Sequence, residues 1–145
     1  MHIELDHIPS ELKVLESFLL WENFNRGDGK MSKTPVSSSG FRIAHNNPDV
    51  LMPFESAKEK LCKGKDVGLG IGLLDGLKVR VEADEGYLWC LDFDGFADSV
   101  SNGVDDGVMA FVDTFPSYTE ISPSGTGFKY FFVCDRVPQS KYKIK

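Results

Sequence analysis

Asp92 and Asp94 stand one residue apart where an apolar run ends, in "WCLDFDG", residues 89–95. In an extended strand positions i and i+2 share a face, so both carboxylates project together while Leu91, Phe93 and Trp89 face the opposite side. Carboxylates this close repel each other unless a cation lies between them. Mg²⁺ or Mn²⁺ suits such oxygen donors and leaves coordination places for water and phosphate. A pair like this at a strand end can form part of a two-metal phosphoryl-transfer site. The pattern is short, and the same acids also read as a solvated cap on the turn into Gly95.

"YTEISPSGTGFKYFF", residues 118–132, is the second dense stretch. Ser122, Ser124 and Thr126 offer hydroxyls, while Gly125 and Gly127 let the backbone approach a ligand closely. A turn of this kind between strands can present N–H groups to an anion. Lys129 follows on a strand and can serve as a point charge for a phosphate. Nucleotide binding by Ser122, Ser124, Gly125, Gly127 and Lys129 is one reading, and a plain Pro-Ser-Gly hairpin turn is the other. No GxxxxGK[ST] phosphate loop is present. Lys30 and Lys33, in "GKMSKTP", are further candidates for contact with nucleotide or nucleic acid, set against a solvated loop.

The elements that must carry these residues can be read from pattern and punctuation. "SELKVLESFLL", 10–20, opens like a helix, with Ser10 as a cap and Leu12, Leu15, Leu19 and Leu20 as a stripe. "FLLWENF" then suits a strand ending near Phe24. "NRGDGKMSK" reads as a turn or loop, and Pro35 makes the next segment an edge strand or no strand. A helix is expected from about Phe54 to Cys62, with Ala57 and Leu61 on one face. "DVGLGIGLL" reads as a strand with Gly68, Gly70 and Gly72 on one face, and "DGLKV" as a turn, with or without a strand continuation. "YLWCLDFD" is the strongest strand, "FADSVSNGVDDGV" a polar loop and "VMAFVDTF" a short helix. "YTEIS" and "FKYFFVCD" read as strands around "PSGTG". Interleaved strands and helices make the class mixed, α/β or α+β.

Composition fits one soluble domain: 145 residues, 41% apolar, 26% charged, with a formal net charge of −6. An acidic chain does not hold nucleic acid through overall charge, so any such contact must be local. Local cations are Arg42, the lysines at 58, 60, 63 and 65, and an alternating Lys141, Lys143, Lys145 at the end. Trp21, Phe41 and Tyr130 could stack on bases, although aromatics of this kind commonly belong to a core. The three cysteines, Cys62, Cys90 and Cys134, show no CxxC spacing. Buried, reduced thiols in a cytoplasmic protein are therefore expected. His2, His7 and His45 form no ligand cluster, no secretory leader is visible, and no apolar run approaches the ~18 residues of a membrane span.

Taken together, "LDFDG" followed by "YTEISPSGTGF" resembles the primase-polymerase domains of the archaeo-eukaryotic primase superfamily, closest to phage and plasmid replication proteins. The likeness covers roughly residues 15–133, with "FLLWENF", "K-x-x-K-T-P", "NNPDVLMPFESA" and "GLGIGLL" upstream. It implies an α+β fold over residues 1–145, with a small αβ subdomain and an RRM-like antiparallel catalytic sheet. It implies nucleotidyl transfer, the metal-dependent addition of nucleoside triphosphates to a 3′ hydroxyl on a DNA template or primer. Asp92 and Asp94 would be catalytic residues and hold Mg²⁺ or Mn²⁺. Ser122, Ser124 and Gly125 would lie beside the triphosphate. A helicase domain joined C-terminally would be the partner.

Two features depart from the family pattern. A histidine usually follows the "SGxG" turn, and here Lys129 occupies that place. A third motif, with one more carboxylate, then Arg and a "TG" pair, does not follow Phe132. Either the chain stops short of that motif within a longer protein, or it is a short protein that lacks it. The second case makes it a catalytically degenerate module of the same fold, binding nucleic acid, nucleotide or a protein. "DFDG" also resembles the nucleophile motif of haloacid-dehalogenase-type phosphatases, but that motif continues with Thr or Val where Phe96 stands and usually lies near the chain start.

Overall fold

Phe18, fully buried, begins the strand around which the first sheet is built. In the computed structural model the described residues are 4–25, 27, 29, 31–37, 39–44, 47–63, 67–73, 76–95, 97–98, 103–122 and 125–137. The chain is mixed α+β and divides into two units, Met1–Leu77 and Lys78–Lys145.

The first unit opens with α1 (Ser10–Lys13), followed by β1 (Phe18–Asn25), β2 (Met31–Val36), α2 (Phe54–Lys63) and β3 (Val67–Ile71). The three strands form an antiparallel sheet in the order β2-β1-β3. The stretch 10–20, expected to open like a helix, does so for one turn only, and the strand expected over "FLLWENF" is β1. Ser10 does not cap it; Pro9 holds the cap position without a side-chain bond. Leu20 and Trp21, adjacent in sequence, are both buried on opposite faces of β1. Apolar contact on both sides suits a central strand and is poorly served by a one-sided helical stripe. α2 packs on this strand through a T-shaped contact between Phe54 and Phe18, with ring centroids 5.1 Å apart.

The glycine-studded β3 has its explanation in the side chains of β1. A side chain at Gly68 would collide with the indole of Trp21, and Gly70 faces Leu19. The Trp21 Nε1–H donates to the Leu69 carbonyl at 3.1 Å, fixing the ring across the strand. Pro35 lies on β2, an edge strand, where its missing N–H is tolerated. Lys33 stands on β2, where a loop was expected, paired with Asn23 in the β1–β2 ladder.

The second unit contains β4 (Lys78–Val81), β5 (Asp84–Phe93), β6 (Ala97–Asp98), β7 (Gly103–Val104), α3 (Asp106–Thr114), β8 (Thr119–Ile121) and β9 (Phe128–Cys134). Its main sheet is antiparallel in the order β4-β5-β9-β8, and β6 pairs with β7. "DGLKV" therefore does not extend the glycine-rich strand: Lys78–Val81 forms an edge of this sheet. The stretch expected as a polar loop contains the short β6–β7 pair. α3 starts where Asp105 Oδ1 accepts hydrogen bonds from the N–H groups of Gly107 (2.9 Å) and Val108 (3.2 Å). Its Phe111 rests on Phe93 and Tyr130, at centroid distances of 6.0 and 5.2 Å. One face of the sheet, carrying Phe93, Phe128 and Tyr130, is thus packed by the helix.

The cysteines are free, but they are not the buried thiols expected. Cys62, at the end of α2, is exposed, and Cys90 and Cys134 are half-buried. Trp21 and Tyr130 belong to the buried core, whereas Phe41 is exposed. Among the described residues no helix is long and apolar enough to cross a membrane.

Candidate active site

Strand alternation and ladder register place the site residues. On β5, Leu91 and Phe93 face the helix side, so Asp92 faces away from it. Across the β5–β9 ladder Asp92 stands opposite Lys129, and across β9–β8 Lys129 stands opposite Glu120. Three strands therefore present the row Asp92, Lys129, Glu120 on one face. The Lys129 Nζ lies 2.7 Å from Asp92 Oδ1, with the two side chains 37% and 51% exposed. This pair is open to solvent and to a ligand.

Asp94 follows the last residue of β5 and is exposed. Gly95 then turns the chain with φ +76°, in the left-handed region that favours glycine. The DxD pair thus straddles a strand end: Asp92 inside the ladder and Asp94 just past it.

The "SPSGTG" segment is a hairpin turn between β8 and β9. Ser122 is its hub. Its N–H donates to the Gly127 carbonyl at 2.8 Å, its carbonyl accepts from Gly125 N–H at 2.8 Å, and its Oγ accepts from Gly127 N–H at 3.1 Å. The amides of Gly125 and Gly127, expected to face an anion, are engaged within the turn. Gly127 has a packing role as well. A Cβ there would collide with the Phe93 carbonyl and come within 3.3 Å of Asp94 Cα. The turn therefore lies directly against the backbone of the acidic motif. Thr126 in this turn is half-buried. Ser124 and Lys30 lie outside the described residues. Lys33 belongs to the first unit, where its ammonium lies over the Trp21 ring at 5.1 Å.

Glu120 is the residue that sequence reading missed. The Tyr118 hydroxyl donates to Glu120 Oε1 at 2.9 Å. Burial raises the Glu120 carboxyl above its ordinary value, while the Tyr118 hydrogen bond and the Lys129 charge oppose that shift. Burial also raises Tyr118, helped by the neighbouring Glu120 charge. Cys90, two residues before Asp92 on the same face, is pushed up to about 11 by burial, with Lys129 opposing and Asp92 and Glu120 adding to the shift. The thiol is therefore no ready nucleophile. The sequence signal for Glu120 was the hairpin itself: pairing across the turn brings it opposite Lys129.

Asp92 and Asp94 offer the carboxylate oxygens a hard divalent cation takes. They fit Mg²⁺ or Mn²⁺ in donor type, with Lys129 competing for Asp92. Among the described residues no group of three or more His, Cys, Asp or Glu side chains is arranged to hold a metal.

No protein-family model and no curated protein sequence matches this chain.

Proposed function

We propose that this chain is a primase-polymerase-type nucleotidyltransferase domain of a phage or plasmid replication protein. In this reading it adds nucleotides from nucleoside triphosphates to a 3′ hydroxyl on a DNA template, and a helicase domain is its partner in the same polypeptide. The observation that carries the reading is the meeting of two motifs. Asp92 and Asp94 end β5, the serine-glycine turn abuts Asp94 through Gly127, and Lys129 stands across from Asp92. A phosphoryl-transfer site needs such a combination of carboxylates for metal, a cation for phosphate and a close backbone. The β4-β5-β9-β8 sheet then corresponds to the RRM-like catalytic sheet, and the first unit to the small αβ subdomain.

Asp92 and Asp94 would hold Mg²⁺ or Mn²⁺, which when bound offsets triphosphate charge and assists ionisation of the attacking hydroxyl. Lys129 supplies a positive charge to the triphosphate. Ser122 keeps the turn in shape through its hydrogen bonds with Gly125 and Gly127. Lys30 and Lys33 remain candidates for contact with nucleotide or nucleic acid.

The Asp92–Lys129 ion pair favours a second reading, a module of the same fold that binds nucleotide or nucleic acid without catalysis. Incorporation of labelled nucleotide on a primed template, with Mg²⁺ or Mn²⁺, separates the two. The first reading expects metal-dependent incorporation that Asp92→Asn and Asp94→Asn abolish. Triphosphate binding in EDTA without incorporation under any metal condition would establish the second reading instead.

A further inference from the structure

The geometry points to Lys129 as a gate that withholds Asp92 from divalent metal until a triphosphate draws its ammonium away. The inference rests on the reading of Asp92 as a metal ligand. Lys129 already neutralises Asp92 at 2.7 Å. A divalent cation approaching that carboxylate meets a like charge beside it, so metal alone binds poorly. The lysine ammonium sits on a flexible four-carbon stem and is partly exposed, so an incoming phosphate can reach it. Once the ammonium turns to phosphate, Asp92 has a free oxygen for metal. Glu120, opposite Lys129 on the other flanking strand, is a second carboxyl within electrostatic range of the ammonium. Metal and triphosphate then bind with positive coupling, and each removes an obstacle to the other.

The test separates the two ligands, because triphosphate itself binds metal in solution. Mn²⁺ binding is measured by electron paramagnetic resonance on the full chain without nucleotide, and dATP binding by equilibrium dialysis in EDTA. Lys129→Met is expected to tighten Mn²⁺ binding roughly fivefold or more and to weaken dATP binding by a similar factor. Asp92→Asn is expected to do the opposite: it loses Mn²⁺ and tightens dATP binding in EDTA. Lys129→Arg keeps the charge and should leave both affinities near those of the unchanged protein. Circular dichroism checks folding, and Lys129→Gln replaces the Met variant if the latter fails to fold. If neutralising Lys129 leaves Mn²⁺ affinity unchanged or lowers it, while Asp92→Asn still abolishes Mn²⁺ binding, the gate is overturned and the metal reading survives. If neither the unchanged protein nor the Lys129 variants bind Mn²⁺, the gate falls together with the metal role of Asp92.

Discussion

The ammonium of Lys129 and the carboxylate of Asp92 form an ion pair at 2.7 Å across the β5–β9 ladder, and both side chains remain partly exposed. Exposed pairs contribute little to folding, because solvent screens them and ordering two side chains has an entropic cost. Asp92→Asn and Lys129→Met are therefore each expected to change unfolding free energy by less than about 1 kcal/mol. Urea denaturation checks this. A loss of several kcal/mol in either variant would show that the pair is structural.

Glu120 makes stability pH-dependent in a defined direction. Its carboxyl is raised in the folded protein, chiefly by burial. Between its unfolded value, near 4.5, and its raised folded value, the folded state holds more protons than the unfolded state. Stability from this group is therefore present at low pH and declines as pH rises through that window. Glu120→Gln removes this decline and can still accept the Tyr118 hydrogen bond. Its melting temperature should gain on that of the unchanged protein as pH rises from 4 to 7, about the carboxylate range. Parallel melting curves for the two proteins across that range would contradict the assignment.

Gly127 tests the junction between the two motifs. An added methyl meets the Phe93 carbonyl, which is backbone and cannot swing aside. Gly127→Ala should destabilise the second unit by about 1–3 kcal/mol, the usual range for overpacking, and weaken triphosphate binding. Gly125→Ala, where the strain comes from φ +72° in open space, is a comparison with a smaller stability effect of about 1 kcal/mol. Denaturant midpoints and dATP dialysis on both variants read out the difference.

Asp105 tests how α3 is started. Its carboxylate accepts two of the helix's first N–H groups. Asp105→Ala should therefore cost about 1 kcal/mol of stability, while Asp105→Asn should retain most of it. Equal losses in both would point to charge at the helix end as the cause.

Much of this arrangement was legible in the sequence. The face alternation of "LWCLDF" placed Asp92 opposite the aromatic side of β5, and the glycines of β3 share a face because Trp21 and Leu19 need the room. Other features depend on pairing, which a single segment does not encode. The strand expected over "FLLWENF" is β1, whereas the Leu12–Leu20 stripe satisfies a helical period only on paper: Leu20 and Trp21 are buried on opposite faces of that central strand, so the helix ends at Lys13. Lys129 could be read as a phosphate cation, but its partnership with Asp92 depends on the β5–β9 register. Glu120 joins the row only because β8 and β9 pair across the turn, a relationship between residues nine positions apart. Ser124 and Lys30 lie outside the described residues.

The central claim is that the acidic motif and the serine-glycine turn form one triphosphate site. Amide chemical-shift mapping of the ¹⁵N-labelled protein, titrated with dATP and Mg²⁺, tests it most directly. The account predicts the largest shifts at Asp92, Asp94, Ser122, Gly125, Gly127 and Lys129, and in Lys129→Met the dATP-dependent shifts at Ser122, Gly125 and Gly127 are reduced at low ligand concentration. Saturable binding that leaves these amides unmoved and shifts a different surface would contradict it.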